Sequence, residues 1–221
     1  MSPPVVLAGR QLDRPDELIL SYLREHGGTV ANFDAVAGSF AAITSDLIGA
    51  TRRPWMNSRI TNDQTRWLVQ RGKGAPWDLV PRMANLLEAD AAEIGGLYDN
   101  ACTLWDWFWD NRPYGFGRAK LSKVLFLMRP SLVPILDSHL IRVYRVAARA
   151  AAVDVKARRQ DSALGRFRYL YWEAIRTDLA RNEAAFAAAR GEVAARLGSR
   201  ECVQRLSSLR LLDMLAWKVS E

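Results

Sequence analysis

The stretch NRPYGFGRAKLSKVLFLMRPSLVPILDSHLIRV, residues 111–143, decides the fold. In its first part Gly115 and Gly117 flank Phe116, and this spacing predicts a tight hairpin, because glycine adopts positive φ without a steric penalty. The backbone amides that follow the second glycine open a helix and have no partner within it, so they suit a phosphate oxygen. We expect Phe116 to plug the core between the two flanking helices. The alternative interpretation is an ordinary helix C-cap.

Basic residues follow the hairpin on the emerging helix: Arg118, Lys120 and Lys123. They add positive charge close to the free amides, and we interpret them with the hairpin as a nucleic-acid-binding segment. Arg52, Arg53 and Arg112 extend the predicted set of phosphate contacts. The alternative is that about half of this set is solvated surface.

The second part of the stretch predicts a carboxylate at a helix start. Pro130 ends the preceding helix and Pro134 keeps the chain extended, so Asp137 falls just before a helix that begins at Ser138. A carboxylate at that position accepts hydrogen bonds from free amides and is stabilised by the helix dipole. Alone, the pattern is that of an N-cap. Together with the hairpin it marks Asp137 as a candidate catalytic residue.

Composition predicts one mostly helical domain. The chain has 221 residues, of which 49% are hydrophobic and eight are Trp, which is enough for two packed lobes. Alternating β-branched runs are almost absent. We therefore expect an all-α, two-lobed helical bundle over residues 1–221, with an inner lobe at about 40–145 and a second lobe formed by 1–39 and 146–221.

Start and stop residues predict the elements around the hairpin. The predicted helices span 15–28, 44–54, 61–72, 77–89, 92–110, 138–152, 163–182 and 182–196, followed by a final helix that ends near Trp217. Trp105 and Trp109 share a helix face and are expected to pack in the core or between lobes, whereas Trp107 points elsewhere. The alternative is that one of these aromatic side chains touches a ligand. The Ala-Arg run at 147–159 is the best candidate for a solvated connection.

Composition also argues against several classes of function. Cys102 and Cys202 lie far apart without a CxxC pair, so we expect no zinc, no iron–sulfur cluster and no other cofactor. No stretch reaches the roughly 20 apolar residues of a membrane span, so we expect a cytoplasmic, nucleoid-associated protein without a membrane partner. The net charge of +7 favours a polyanionic partner, although arginine-rich helical proteins carry such a charge without binding one.

The hairpin and the Asp-Ser-His run together resemble the helix-hairpin-helix DNA glycosylase superfamily. The positions that match its pattern are Gly115, Gly117, Asp137, Ser138, His139, Leu140, Arg142 and Val143. Over most of its length the chain is also similar to an uncharacterised bacterial family described only as a domain of unknown function. That similarity rests on Phe33-Asp34, residues 43–47, the hairpin, residues 129–138, and residues 209–213 with Trp217.

The glycosylase resemblance implies a monofunctional DNA N-glycosylase that hydrolyses the base–sugar bond of a damaged or modified nucleotide. Asp137 would stabilise the oxocarbenium-like sugar cation or orient the attacking water. His139 would order the turn beside Ser138, and Arg142 would pair with a carboxylate. The expected partner is double-stranded DNA, with a monovalent cation at the hairpin, and the oligomeric state is left open.

Departures from the superfamily pattern narrow this expectation. Bifunctional members carry a Schiff-base lysine two positions after the second hairpin glycine, where this chain has Ala119. Lys120 comes one place later and is rotated by about 100° around the helix, so a β-lyase is disfavoured. A C-terminal four-cysteine cluster is missing, and Leu121 replaces a usually small residue.

Alternatives remain for the supporting residues and for the function. Asp46 and Asp63 could supply a second acid or merely cap helices, and Trp55 could wedge into a duplex or tuck inward at a surface turn. The rival function is a non-catalytic helix-hairpin-helix module that binds nucleic acid or protein. A third is an enzyme that acts on a small nucleoside. A cavity beside Asp137 bordered by aromatic residues would favour base excision.

Overall fold

A computed structural model describes residues 2–52, 54, 56–165, 167–197 and 203–220. Within these residues the chain is mostly helical, with one two-stranded antiparallel sheet formed by β1 (Val5–Leu7) and β2 (Arg10–Leu12). The all-α expectation is confirmed at this level. The helices are α1 (Pro15–Asn32), α2 (Ser45–Ala50), α3 (Asn62–Lys73), α4 (Leu97–Trp109), α5 (Arg118–Met128), α6 (Ser138–Arg158), α7 (Tyr171–Arg181), α8 (Glu183–Leu197) and α9 (Ser208–Ser220).

Local capping chemistry starts several helices where the sequence predicts it. The Thr44 side chain accepts a hydrogen bond from the Leu47 amide at the start of α2. Thr61 and Gln64 form a complete capping box at the start of α3. Each cap satisfies amides that the first turn of a helix leaves free, so these starts depend on neighbouring residues only.

The first helix extends further than predicted. α1 continues through the glycine pair to Asn32, with non-helical dihedral angles at His26 (φ −124°, ψ 26°) that mark a kink. Its last part buries Thr29 and Val30, and the whole helix packs against α8 and α9, as expected for the first helix and the C-terminal helices. Tertiary burial therefore outweighs the low helix propensity of glycine here.

Four other boundaries correct the prediction. Residues 77–89 form two short 3-10 helices, Trp77–Leu79 and Leu86–Glu88, because Pro81 interrupts any continuous helix. α4 begins only at Leu97, and α7 begins only at Tyr171, after a loop. The predicted connection at 147–159 is instead helical through Arg158, since its buried face packs against α7.

The sheet at the start of the chain was not predicted. Ala8 and Gly9 form its turn at positive φ. Asn182 binds the strand through both the amide and the carbonyl of Val6, each at 2.8 Å, and Asp178 accepts a hydrogen bond from the Ala8 amide. The strand pair is thus held by side chains at the end of α7, and no local sequence pattern predicts these contacts.

A buried ion cluster joins α9 to the segment that follows α1. Arg210 is 1% exposed and donates to Asp34 Oδ1 at 2.8 Å and to Asp34 Oδ2 at 3.1 Å. It also binds the carboxylate of Asp213 and the hydroxyl of Tyr22. Two carboxylates thus face one guanidinium away from water, and burial raises the pKa of Asp213 to about 7.

Removing one partner from this cluster should be costly. We expect Asp34→Ala to lower the free energy of unfolding by about 3–5 kcal/mol, because it leaves the buried guanidinium poorly compensated. Urea unfolding followed by tryptophan fluorescence measures the change. Asp63→Ala is the matched control, since Asp63 pairs with Arg66 on the exposed face of α3 and should matter by less than about 1 kcal/mol. Similar small losses in both variants would contradict a structural role for the cluster.

Candidate functional site

The connection between α4 and α5 is a tight glycine turn, as predicted. Gly115 has a φ of +71°, in the region that favours glycine, whereas Gly117 is extended at φ −94° and serves as the N-cap of α5. No side chain caps α5 within the described residues, so its first amides keep their capacity to bind a ligand. Phe116 is 2% exposed, and its ring lies 5.3 Å from that of Trp67, which confirms its place in the core.

The half-buried Lys120 binds the hairpin through its ammonium group. Its ammonium donates to Gly115 O at 2.8 Å and to Gln64 Oε1 at 3.1 Å, and Gln64 Nε2 donates to Tyr114 O at 3.1 Å. An ammonium of the chain itself thus binds the Gly115 carbonyl that a hairpin cation would use. Because Lys120 already binds it, this carbonyl does not fit a monovalent cation.

Lys123 also points inward. Its ammonium donates to Met56 O at 2.7 Å, and burial lowers its pKa while the charges of Asp137 and Asp213 act in the opposite direction. The ammonium groups of Lys120 and Lys123 bind carbonyls of the chain itself. We therefore no longer expect either lysine to contact phosphate. Arg118 is exposed at the start of α5.

Asp137 lies at the start of α6 and close to α5. Its Oδ1 accepts hydrogen bonds from the amides of His139 at 2.9 Å and Leu140 at 3.0 Å, which is the predicted N-cap. The preceding amide, that of Leu136, donates to Ser122 Oγ of α5 at 3.0 Å. The Asp137 carboxylate is half-buried. The bond to Ser122 ties the start of α6 to α5, the helix that follows the hairpin.

The neighbours of Asp137 on α6 bind the C-terminal helix. His139 Nδ1 lies 2.6 Å from Ser220 Oγ, and the His139 ring is 4.8 Å from that of Trp217. Arg142 donates to Ser220 O at 3.0 Å, so its partner is a backbone carbonyl and not the expected carboxylate. Ser138 is exposed. These contacts orient α6, and through it Asp137.

The remaining predicted residues are exposed or lie outside the described residues. Asp46 and Asp63 are exposed in the first turns of α2 and α3, where Thr44 and Thr61, and not the aspartates, provide the caps. Asp63 binds Arg66. Trp55, with its neighbour Arg53, lies outside the described residues.

A cleft of about 360 Å³ opens beside the hairpin helix. Its lining includes Arg118 of α5 and Leu136, the residue before Asp137, although Asp137 itself is not part of the lining. Trp105 and Trp109 stack on one wall, with ring centroids 5.9 Å apart, so the prediction that they share a helix face is confirmed. Both are half-buried: they pack against the hydrophobic core, as expected, and also line the cleft.

Sequence reasoning missed the opposite wall of this cleft. Tyr98 and Trp172 form its buried base, and Tyr169 and Tyr171 line its other side. The aromatic run at 169–172 was a signal that could have drawn attention to this segment. Arg112 adds charge at the rim, since its guanidinium lies 3.6 Å from the centre of the Trp109 ring.

These features define an all-α protein in which a glycine hairpin and a helix-capping carboxylate adjoin an open aromatic cleft. A family model, described as a family of unknown function (DUF6308), matches residues 19–220, and the chain belongs to this family. No curated protein and no solved structure matches the chain. None of the helices in the described part of the chain is both long and apolar enough to cross a membrane.

Substitutions can separate the helix-capping role of Asp137 from a catalytic role. We expect Asp137→Ala to lower the free energy of unfolding by about 1 kcal/mol, because two amides of α6 lose their acceptor, whereas Asp137→Asn keeps an acceptor oxygen and changes stability little. Urea unfolding midpoints measure both. Asp46→Ala, which removes a first-turn carboxylate that is not a cap, serves as control. Equal losses for alanine and asparagine would show that the charge, not the cap, is what stabilises the fold.

Proposed function

We propose that this chain is a DNA-binding protein of the helix-hairpin-helix glycosylase type, acting as a monofunctional N-glycosylase on a damaged or modified nucleotide. The observation that carries the proposal is that one cleft is bordered both by Arg118, at the uncapped start of α5, and by Leu136, the residue before the half-buried carboxylate of Asp137.

The hairpin suits a nucleic-acid backbone. Gly117 has no atom within 4 Å of the position a Cβ would take, so the start of α5 is open to a ligand. Tyr114 at the turn is fully exposed, and Arg118 adds a cation next to the amides. Backbone amides at a helix N-terminus together with an arginine bind phosphate by hydrogen bonds and charge.

Asp137 suits the reacting sugar. Its Oδ1 is fixed by two amides, while its Oδ2 accepts no hydrogen bond from the described residues. The free oxygen can stabilise the positive charge that develops on the sugar as the base leaves, or orient water. A unit charge about 4 Å from that cation contributes about 4 kcal/mol at an effective dielectric of 20, which is roughly a thousandfold in rate.

The inward lysines support hydrolysis without lyase activity. A Schiff base needs a free amine at the site, and Ala119 occupies the position from which bifunctional members present theirs. The ammonium groups of Lys120 and Lys123 are both engaged by carbonyls of the chain. Water is therefore the nucleophile that this arrangement favours.

A second candidate function is a non-catalytic nucleic-acid-binding module. One observation favours it: Asp137 serves as the N-cap of α6 and does not line the cleft. In that case the hairpin would still bind a backbone, and the carboxylate would act on stability alone.

An excision assay separates the two candidates. The wild-type protein is incubated with a panel of duplexes that carry damaged or modified bases, and abasic sites are detected by strand cleavage in alkali. We expect Asp137→Asn to lower excision roughly a thousandfold while duplex affinity stays within about twofold. Asp46→Asn, at an exposed carboxylate, should leave both unchanged. Binding without release of any base by the wild-type protein, or full activity in Asp137→Asn, would overturn the proposed chemistry.

A further inference from the structure

A patch of aromatic and basic side chains extends outward from the cleft, and we call it the tyrosine–arginine surface. It consists of Phe167, Arg168, Tyr169 and Tyr171, in and after the loop between α6 and α7, together with Arg145 of α6. The Leu170 amide, which donates to Ala148 O at 2.9 Å, anchors the loop on α6. This bond attaches the C-terminal end of the loop, next to Tyr169 and Tyr171, to α6.

The aromatic rings of this surface are arranged for stacking. The rings of Tyr169 and Tyr171 lie 5.9 Å apart at an angle of 28°, and both side chains are only half-buried. Phe167 is 40% exposed beside them. Three neighbouring aromatic side chains that keep ring area open to solvent form a platform on which planar groups can stack.

Positive charge surrounds the same rings. The Arg168 guanidinium lies 5.5 Å from the centre of the Tyr169 ring. The interaction of the Tyr169 hydroxyl with Arg145, together with the charges of Arg168 and Arg149, lowers the pKa of Tyr169. Burial raises the pKa of Tyr171, while the charges of Arg118 and Arg145 act in the opposite direction, so both arginines lie near this ring as well.

We infer that the tyrosine–arginine surface binds an unpaired nucleic-acid strand, with bases stacked on Phe167, Tyr169 and Tyr171 and with phosphates paired to Arg145 and Arg168. Open aromatic rings flanked by guanidinium groups match the alternation of planar bases and phosphates along a single strand. An intact duplex matches less well, because its bases stack on one another and offer no free faces to protein rings. An acidic peptide would satisfy the arginines and leave the rings unused.

From the proposed function we take only that the ligand is a nucleic acid. The surface itself is separate from Asp137, because none of its residues binds that carboxylate. A duplex with an unpaired segment next to the hairpin could occupy the hairpin and the tyrosine–arginine surface together. Two contacts on one ligand raise its affinity through effective concentration. We therefore expect a duplex with a single-stranded overhang to bind more tightly than either the blunt duplex or the single strand.

The test is fluorescence anisotropy with the full chain and five labelled probes. They are a blunt duplex, one of its strands, the duplex with an overhang, an RNA strand of the same sequence, and polyglutamate. We expect Tyr169→Ala and Phe167→Ala each to weaken single-strand binding about tenfold and to change blunt-duplex binding less than about twofold. The DNA and RNA strands show whether the sugar matters. Thermal unfolding confirms that each variant is folded.

Matched variants identify the interaction that is lost. Tyr169→Phe keeps the ring and should retain single-strand affinity within about twofold. Loss of affinity in this variant would show that the strand binds the hydroxyl group, and would contradict stacking on the ring. Arg24→Ala is the control: it removes a positive charge from the exposed face of α1, outside the tyrosine–arginine surface, and should have little effect on single-strand affinity. Equal weakening on duplex and single strand, or on polyglutamate, would overturn the inference. Single-strand binding without base excision would instead refute only the proposed chemistry.

Discussion

The Asp137 carboxylate, which accepts hydrogen bonds from the first free amides of α6, fixes the arrangement on which the site depends. It starts the helix against which both α7 and α9 pack. One residue earlier, the bond between the Leu136 amide and Ser122 Oγ ties the same point of the chain to α5. A single polar junction thus sets the position of the carboxylate relative to the hairpin and brings Leu136 to the aromatic cleft.

The hairpin satisfies its own carbonyls and leaves its amides available. Lys120 and Gln64 bind the carbonyls of Gly115 and Tyr114, whereas no side chain caps the start of α5. The polarity that this corner presents outward is therefore positive, from amides as well as from Arg118. In the proposed function this corner would bind a phosphate through groups that are already in place, which lowers the entropic cost of binding.

Local chemistry made part of this structure predictable from sequence. The turn at Gly115 and the caps at Thr61 and Asp137 each depend on residues within a few positions. The strand pair could not be predicted, because its partner Asn182 is 176 positions from Val6.

The same reason limits prediction of the site. Lys120 reads as a surface cation until its acceptor Gln64, 56 positions away, is known. The cleft is formed by α4 and by the segment around Tyr169. The sequence of neither segment indicates that the other packs beside it. Burial then decides which polar groups face ligand and which support the fold, and burial is a property of the packed chain.

The most direct test of the site is a titration of the isotope-labelled protein with a duplex that carries a single-stranded overhang, followed by two-dimensional NMR. We expect the largest shifts at the amides of Gly117, Arg118 and Ala119 and at the indole groups of Trp105 and Trp109. Shifts confined to α1 and α8, with the hairpin and the cleft unchanged at saturation, would contradict the placement of the binding site.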